Sequence, residues 1–214
     1  IVSSQFSSAD LVLPKTVTIG SAGAEDTKLV FDGNAQDFHI GLDDSEDKLT
    51  IGLGSTLGTT AHMTFDSTGA ILKPLQPAFS ARSDTNNTNF ALNTTHTVTF
   101  STEIFDQNAD FASNTFTAPV TGRYQLSATF YFEDVASSAD YLQANLVTSN
   151  RTYYAITDPT GYDTTVTYHT YTISVLADMD ANDTATMSYR QPSGGDQQID
   201  LNGSHTYFTG FLAC

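Results

Sequence analysis

Basic residues are scarce in this 214-residue chain: eight Lys and Arg stand against 24 Asp and Glu, a formal net charge of −16. That balance excludes a nucleic-acid partner, because a phosphate backbone needs a basic patch and none is visible. Cysteine is nearly absent as well. The single Cys214 allows no intrachain disulfide, so a small stapled secreted scaffold is ruled out. Stability must then come from packing and from oligomerisation. No apolar run approaches the ~20 residues of a membrane span, so no membrane insertion is expected. The opening Ile1-Val2-Ser3-Ser4-Gln5-Phe6 carries no Met, no basic region and no signal-peptide core. It reads as the start of a processed chain or of a piece of something longer.

Catalytic signatures are missing too. There is no Gly-x-Ser-x-Gly elbow, Walker loop, zinc-helix motif or dinucleotide fingerprint. His39, His62, His96, His169 and His205 are scattered, and the spacing suggests no Ser-His-Asp arrangement. The chain is expected not to be an enzyme.

What remains is rich in Thr, Ser and Asn and strongly strand-like. A boundary lies near residue 74: Lys15, Lys28, Lys48 and Lys73 precede Pro74, and Arg82, Arg123, Arg151 and Arg190 follow it. Residues 74–76 read as a stiff linker, since Pro fixes its own backbone and extends its predecessor. Residues 1–73 read as an extended, β-rich stem with an internal repeat. Val17-Thr18-Ile19-Gly20 recurs as Leu49-Thr50-Ile51-Gly52, and short strands follow at Leu29–Gly33 and Met63–Ser67, with Ile40-Gly41-Leu42 between. Strands so short bury little alone, so neighbouring copies or neighbouring chains are expected to complete their core.

In residues 77–214 the apolar period is two. Tyr124, Leu126, Ala128, Phe130 and Phe132 share one face of a long strand, and Gln125, Ser127, Thr129, Tyr131 and Glu133 the other. Leu142-x-Ala144-x-Leu146, the run His169 to Val175 and Ala185-x-Met187-x-Tyr189 repeat the pattern. Turn-forming clusters at Asp158–Gly161, Asp178–Asp183 and Pro192–Asp196 separate them. Many strands with such spacers predict an all-β antiparallel sandwich or jelly roll.

Three motifs carry a resemblance: Pro77-Ala78-Phe79-Ser80-Ala81, then Phe116-Thr117-Ala118-Pro119-Val120-Thr121-Gly122-Arg123-Tyr124, then Tyr207-Phe208-Thr209-Gly210-Phe211-Leu212. They match the opening, middle and end of the globular head of C1q-like proteins, whose fold is shared with tumour-necrosis-factor ligands. Residues 77–214 therefore resemble a ten-strand-type C1q-like jelly-roll head, and the resemblance implies a homotrimer. Tyr124, Phe130, Phe208 and Phe211 are candidates for the core or for packing on the symmetry axis. The short-strand stem resembles the shaft and neck modules of phage tail or head fibres.

The expected function is a trimeric virion fibre or appendage on the virion exterior. Its stem would meet other virion proteins, and its knob a host-surface glycan or protein. A structural trimerisation or capping module and a secreted C1q-domain lectin are the alternatives. Tyr154, Tyr162 and Tyr168, with Asp158 and Asp196 on exposed turns, are the candidate receptor contacts. No cofactor is required. Calcium is possible at Asp178, Asp180 and Asp183, near where C1q-like heads hold it, although a solvated acidic turn is the favoured account of the pattern. The Asp43-Asp44-Ser45-Glu46-Asp47 run in the stem has the same two readings.

Overall fold

A computed structural model describes residues 15–194 and 200–214. The chain divides into two compact units, Ile1–Pro74 and Leu75–Cys214.

The first unit is an antiparallel meander of β1 (Thr27–Phe31), β2 (Phe38–Asp43), β3 (Lys48–Leu53), β4 (Ala61–Phe65) and β5 (Ile71–Leu72), paired in that order. Val17–Gly20 carries no strand, so the expected repeat is not structural: only its second copy, in β3, has a partner on each side. Cross-strand partners share a face, and one face is apolar throughout. The register sets Phe31 beside Phe38 and Leu53, and Leu29 beside Ile40, Ile51 and Met63. A third row runs Leu42, Leu49, Phe65, Ile71. The other face carries Lys28, His39, Gly41, Asp43, Thr50 and Gly52. The loop 54–60 folds onto that polar face. Leu53 N donates to Thr60 O at 3.0 Å, His39 Nδ1 lies 2.8 Å from Gly54 O, and Leu57 is buried. Glycine is required beneath it: a Cβ at Gly52 would sit 2.4 Å from Thr60 O, and one at Gly41 3.0 Å from Leu57 Cδ1.

The second unit is a two-sheet antiparallel sandwich. Its strands are β6 (Ala78–Arg82), β7 (His96–Thr97), β8 (Thr102–Asp106), β9 (Phe111–Ala112), β10 (Thr115–Thr117), β11 (Gly122–Val135), β12 (Leu142–Thr148), β13 (Thr152–Thr157), β14 (Val166–Met179), β15 (Thr184–Arg190), β16 (Asp200–Leu201) and β17 (Tyr207–Leu212). One sheet runs β14-β11-β17-β6-β8, with β16 pairing β11. The other runs β13-β12-β15-β10-β9, with β7 pairing β15. Strands distant in sequence are neighbours in both sheets, which is jelly-roll connectivity.

The predicted alternation holds. Tyr124, Leu126, Ala128, Phe130 and Phe132 on β11 are fully buried, as are Leu142, Ala144 and Leu146 on β12 and Ala185, Met187 and Tyr189 on β15. The three motif segments fall on β6, on β10 leading into β11, and on β17. Gly210 passes close to a neighbouring strand: a Cβ there would lie 2.6 Å from Leu126 Cδ2 and 2.7 Å from Phe79 Cε1. Val98-Thr99-Phe100, after β7, carries no strand, although Val98 is buried.

Candidate functional site

The outward face of the β14-β11-β17-β6-β8 sheet stands apart chemically. Two cross-strand rows cross it: Phe105, Ser80, Thr209, Ser127, Ser174, and Ala78, Phe211, Gln125, Leu176. None of the nine is charged, in a chain of net charge −16. Phe105, Phe211 and Leu176 are 52%, 50% and 57% exposed. Phe105 and Phe211 flank a shallow groove of about 410 Å³ whose floor is Ser127, Ser174 and Thr209. Ser174 on this floor is engaged within the sheet, its Oγ accepting from Gln125 Nε2 at 2.9 Å. Desolvating such a surface leaves no charge unpaired. It can therefore pack against another apolar, hydroxyl-bearing sheet.

Of the four residues proposed for core or axis packing, Tyr124, Phe130 and Phe208 lie wholly in the intrachain core, and Tyr124 Oη donates to Val120 O at 2.7 Å. Phe211 alone faces outward. Strand parity separates them: Phe208 and Gly210 on β17 point inward, so Tyr207, Thr209 and Phe211 point out. Phe105 and Leu176 belong to the same face, and sequence reasoning missed them as a pair. Their registry with Phe211 exists only through β6 and β11.

The candidate receptor contacts do not come together. Tyr154 lies on β13 in one sheet and Tyr168 on β14 in the other, each on its sheet's solvent side. Tyr168 stacks on Tyr131 at 5.8 Å, and Tyr131 lies 4.7 Å from the His205 ring. Tyr162 follows the turn Pro159–Gly161, which Asp158 caps through Oδ1 accepting from Thr160 N at 2.9 Å. The Tyr162 ring meets His169 edge-on at 6.5 Å. Asp196 lies outside the described residues. The side chains beside Tyr154 are amides and hydroxyls: its cross-strand neighbour Asn145 donates through Nδ2 to Ser188 Oγ at 3.1 Å and accepts from Gln143 Nε2 at 2.6 Å.

Asp178, Asp180 and Asp183 occupy the end of β14 and the turn after it. Asp178 pairs with Arg151 at 2.8 Å. Asp183 Oδ2 accepts from Asn150 Nδ2 and from Asp180 N, both at 2.9 Å. Asp183 thus closes the turn on Asp180 N, and Asp178 is engaged by Arg151 from the segment before β13. Among the described residues no group of three or more His, Cys, Asp or Glu is arranged to hold a metal ion. Cys214 is exposed as a free thiol, and its carbonyl accepts from Arg123 N at 2.6 Å.

Burial perturbs several titrations. It depresses His169 below the ordinary imidazole value. It pushes the phenols of Tyr171 and Tyr189 up to about 12. Asp110 Oδ2 is buried without a hydrogen-bond partner, and burial first, then the Asp106 charge, raises the Asp110 carboxyl above its ordinary 3.8. The folded protein therefore holds this proton to a higher pH than the unfolded chain does. Stability from this residue falls as pH rises through the ordinary value and stays lost above the folded-state value. Asp110→Asn should raise the melting temperature at pH 7 by about 2–4 °C, as expected for about 1 kcal/mol in a domain of this size. The gain should fade at acid pH below the raised folded-state value, where wild-type Asp110 is itself neutral. A scan showing no gain at pH 7 would contradict this.

Neither family models nor curated proteins match this chain. Among solved structures it is similar to the globular domain of zebrafish complement 1qA, at 17% identity and a TM-score of 0.48, over 65% of this chain and 98% of that one. It is also similar to murine APRIL solved at pH 8.0, at 11% identity and a TM-score of 0.47, over 64% and 98% of the two chains.

Proposed function

We propose that this protein is a homotrimeric appendage of a virion exterior, in which the sandwich unit is the association clamp and the first unit the stem. The carrying observation is the pair of uncharged rows that carry Phe105, Phe211 and Leu176 in a chain of net charge −16. Self-repulsion would keep such chains apart everywhere except on a surface without charge. Cyclic symmetry closes the contact and leaves no further sticky surface. The virion placement draws on the likeness of the short-strand stem to fibre shafts. Sedimentation equilibrium at micromolar concentration should return three times the 23.0 kDa chain mass; one chain mass would reject the trimer. Antibody labelling of the source particle should decorate its outside, and unlabelled particles would reject the placement.

A second reading adds attachment to a host-surface glycan or protein. Tyr154 and Ile156 favour it: both are exposed on β13, beside the Gln143 and Asn145 amides and on the sheet that does not carry the uncharged rows. An aromatic ring beside amide donors and acceptors suits a sugar's apolar face and hydroxyls. Tyr154→Ala should abolish binding to whole host cells; unchanged binding would leave the head as a clamp alone.

A further inference from the structure

We propose that the stem sheet buries its apolar face against the same face of two further copies of this chain, making the stem a second association interface. This rests on the trimeric reading for its stoichiometry. The apolar face spans all five strands, and none of its three cross-strand rows contains a charged residue. Leu29, Phe31, Phe38, Ile40, Leu42 and Ile71 are each between 37% and 58% exposed. With the remaining members of the rows, that is on the order of 600 Å² of apolar surface. That is at the upper end of what a monomer leaves uncovered and about three quarters of the ~800 Å² a stable contact takes from each partner, so this face adds to an interface already held by the other unit rather than carrying one alone.

The unit's own loop 54–60 is spent on the opposite, polar face, where it covers His39 and Thr50. The distribution is inverted for a lone protomer: glycine, histidine and threonine are covered, and leucine, isoleucine and phenylalanine are bare. An occupant from outside the unit restores the ordinary order. A second copy fits best. The face presents no charge for a partner to neutralise, and an identical face presents none in return. Elsewhere residues 15–74 hold four Lys against nine Asp and Glu, so copies repel on every other side. Each head trimer also brings three covalently attached stems together, at an effective concentration in the millimolar range. Three apolar faces turned toward one axis leave none of the rows in water.

Cys214 is the chain's single cysteine, so Cys214→Ser supplies a thiol-free background in the full chain. Into it go Ile40→Cys, on the apolar face, and Lys28→Cys, on the opposite face of neighbouring β1. Over a long exposure, a short bis-maleimide should still join Ile40→Cys chains to one another in most molecules, because its first attachment holds the second maleimide beside the other copies. A mono-maleimide should label Ile40→Cys at least tenfold more slowly than Lys28→Cys. Leu42→Cys repeats the test should Ile40→Cys lose its strand circular dichroism. Equal labelling rates would show an open face and overturn the proposal. Slow labelling without cross-links would also overturn it, pointing to residues 1–14 or to a different protein as the cover. Sedimentation of the same samples separates the two levels. A trimer with freely labelled Ile40→Cys sinks the stem interface and spares the trimer. A monomer sinks the trimer itself.

Discussion

If the protein assembles as proposed, replacing Phe211 and Leu176 together with aspartate is expected to loosen the proposed trimer at least a thousandfold while leaving each protomer folded. Both side chains are half exposed or more and lie outside the intrachain core, so the substitutions remove little packing within one chain. In the assembly they place unpaired carboxylates where two uncharged rows lose their water. An uncompensated buried charge costs about 3–5 kcal/mol, and three-fold symmetry repeats each one around the axis with like charges converging. Sedimentation velocity over a dilution series reads the change directly. The wild type should hold three times the 23.0 kDa mass through low micromolar concentration, and the double variant should fall toward one. Circular dichroism and thermal melting should confirm that the variant keeps its strands. Ile40→Asp, added to the pair, should release any residual assembly held by the stems alone. An unaltered concentration dependence in the double variant would remove this face from the interface.

Phe79→Ala should cost the sandwich about 3–5 kcal/mol, a large part of the 5–15 kcal/mol that holds a domain folded. Phe79 is 1% exposed and joins the two sheets. From β6 in one sheet, its ring stacks on Phe111 of β9 at 5.0 Å and on Phe116 of β10 at 4.7 Å, both in the other sheet. It also meets Phe208 of β17 edge-on at 5.0 Å. Truncation leaves a ring-sized void among these aromatics and lets Gly210 lose the surface it packs on. The melting temperature of the head should drop by roughly 10–15 °C. Phe105→Ala, which removes an exposed ring on the same sheet, should move it by no more than about 2 °C. A drop at Phe79 as small as that at Phe105 would mean that the sheets are not joined through this stack.

Much of the head was legible in the residues because a strand has a period of two and one wet side. Tyr124 to Phe132 could be assigned to a buried face by counting. The same counting, carried to β17, separates Phe208 from Phe211: the two differ by three, so they cannot share a face. The motif at Pro77–Ala81 located β6, and Gly210, inside the last motif, lies where Leu126 and Phe79 approach closely. The stem was harder. Val17–Gly20 and Leu49–Gly52 are near-copies, yet only the second has a neighbour on each side, and pairing is a property of the sheet rather than of the letters. The apolar alternation through Leu29–Phe31, Phe38–Leu42 and Leu49–Leu53 was present all along. Nothing local says whether a chain's own loop will cover it.

Composition and periodicity alone thus determined an all-β, acidic chain with no disulfide to lean on, and which residues of its long strands turn inward. The tertiary structure alone decided the rest. It set Phe105, Phe211 and Leu176, up to 106 positions apart, on one uncharged face. It put Tyr154 and Tyr168 in different sheets, and it laid loop 54–60 over the polar side of the stem. A strand's own residues fix its two faces, whereas its neighbours, and what lies across from each face, depend on chain segments brought in from far along the sequence.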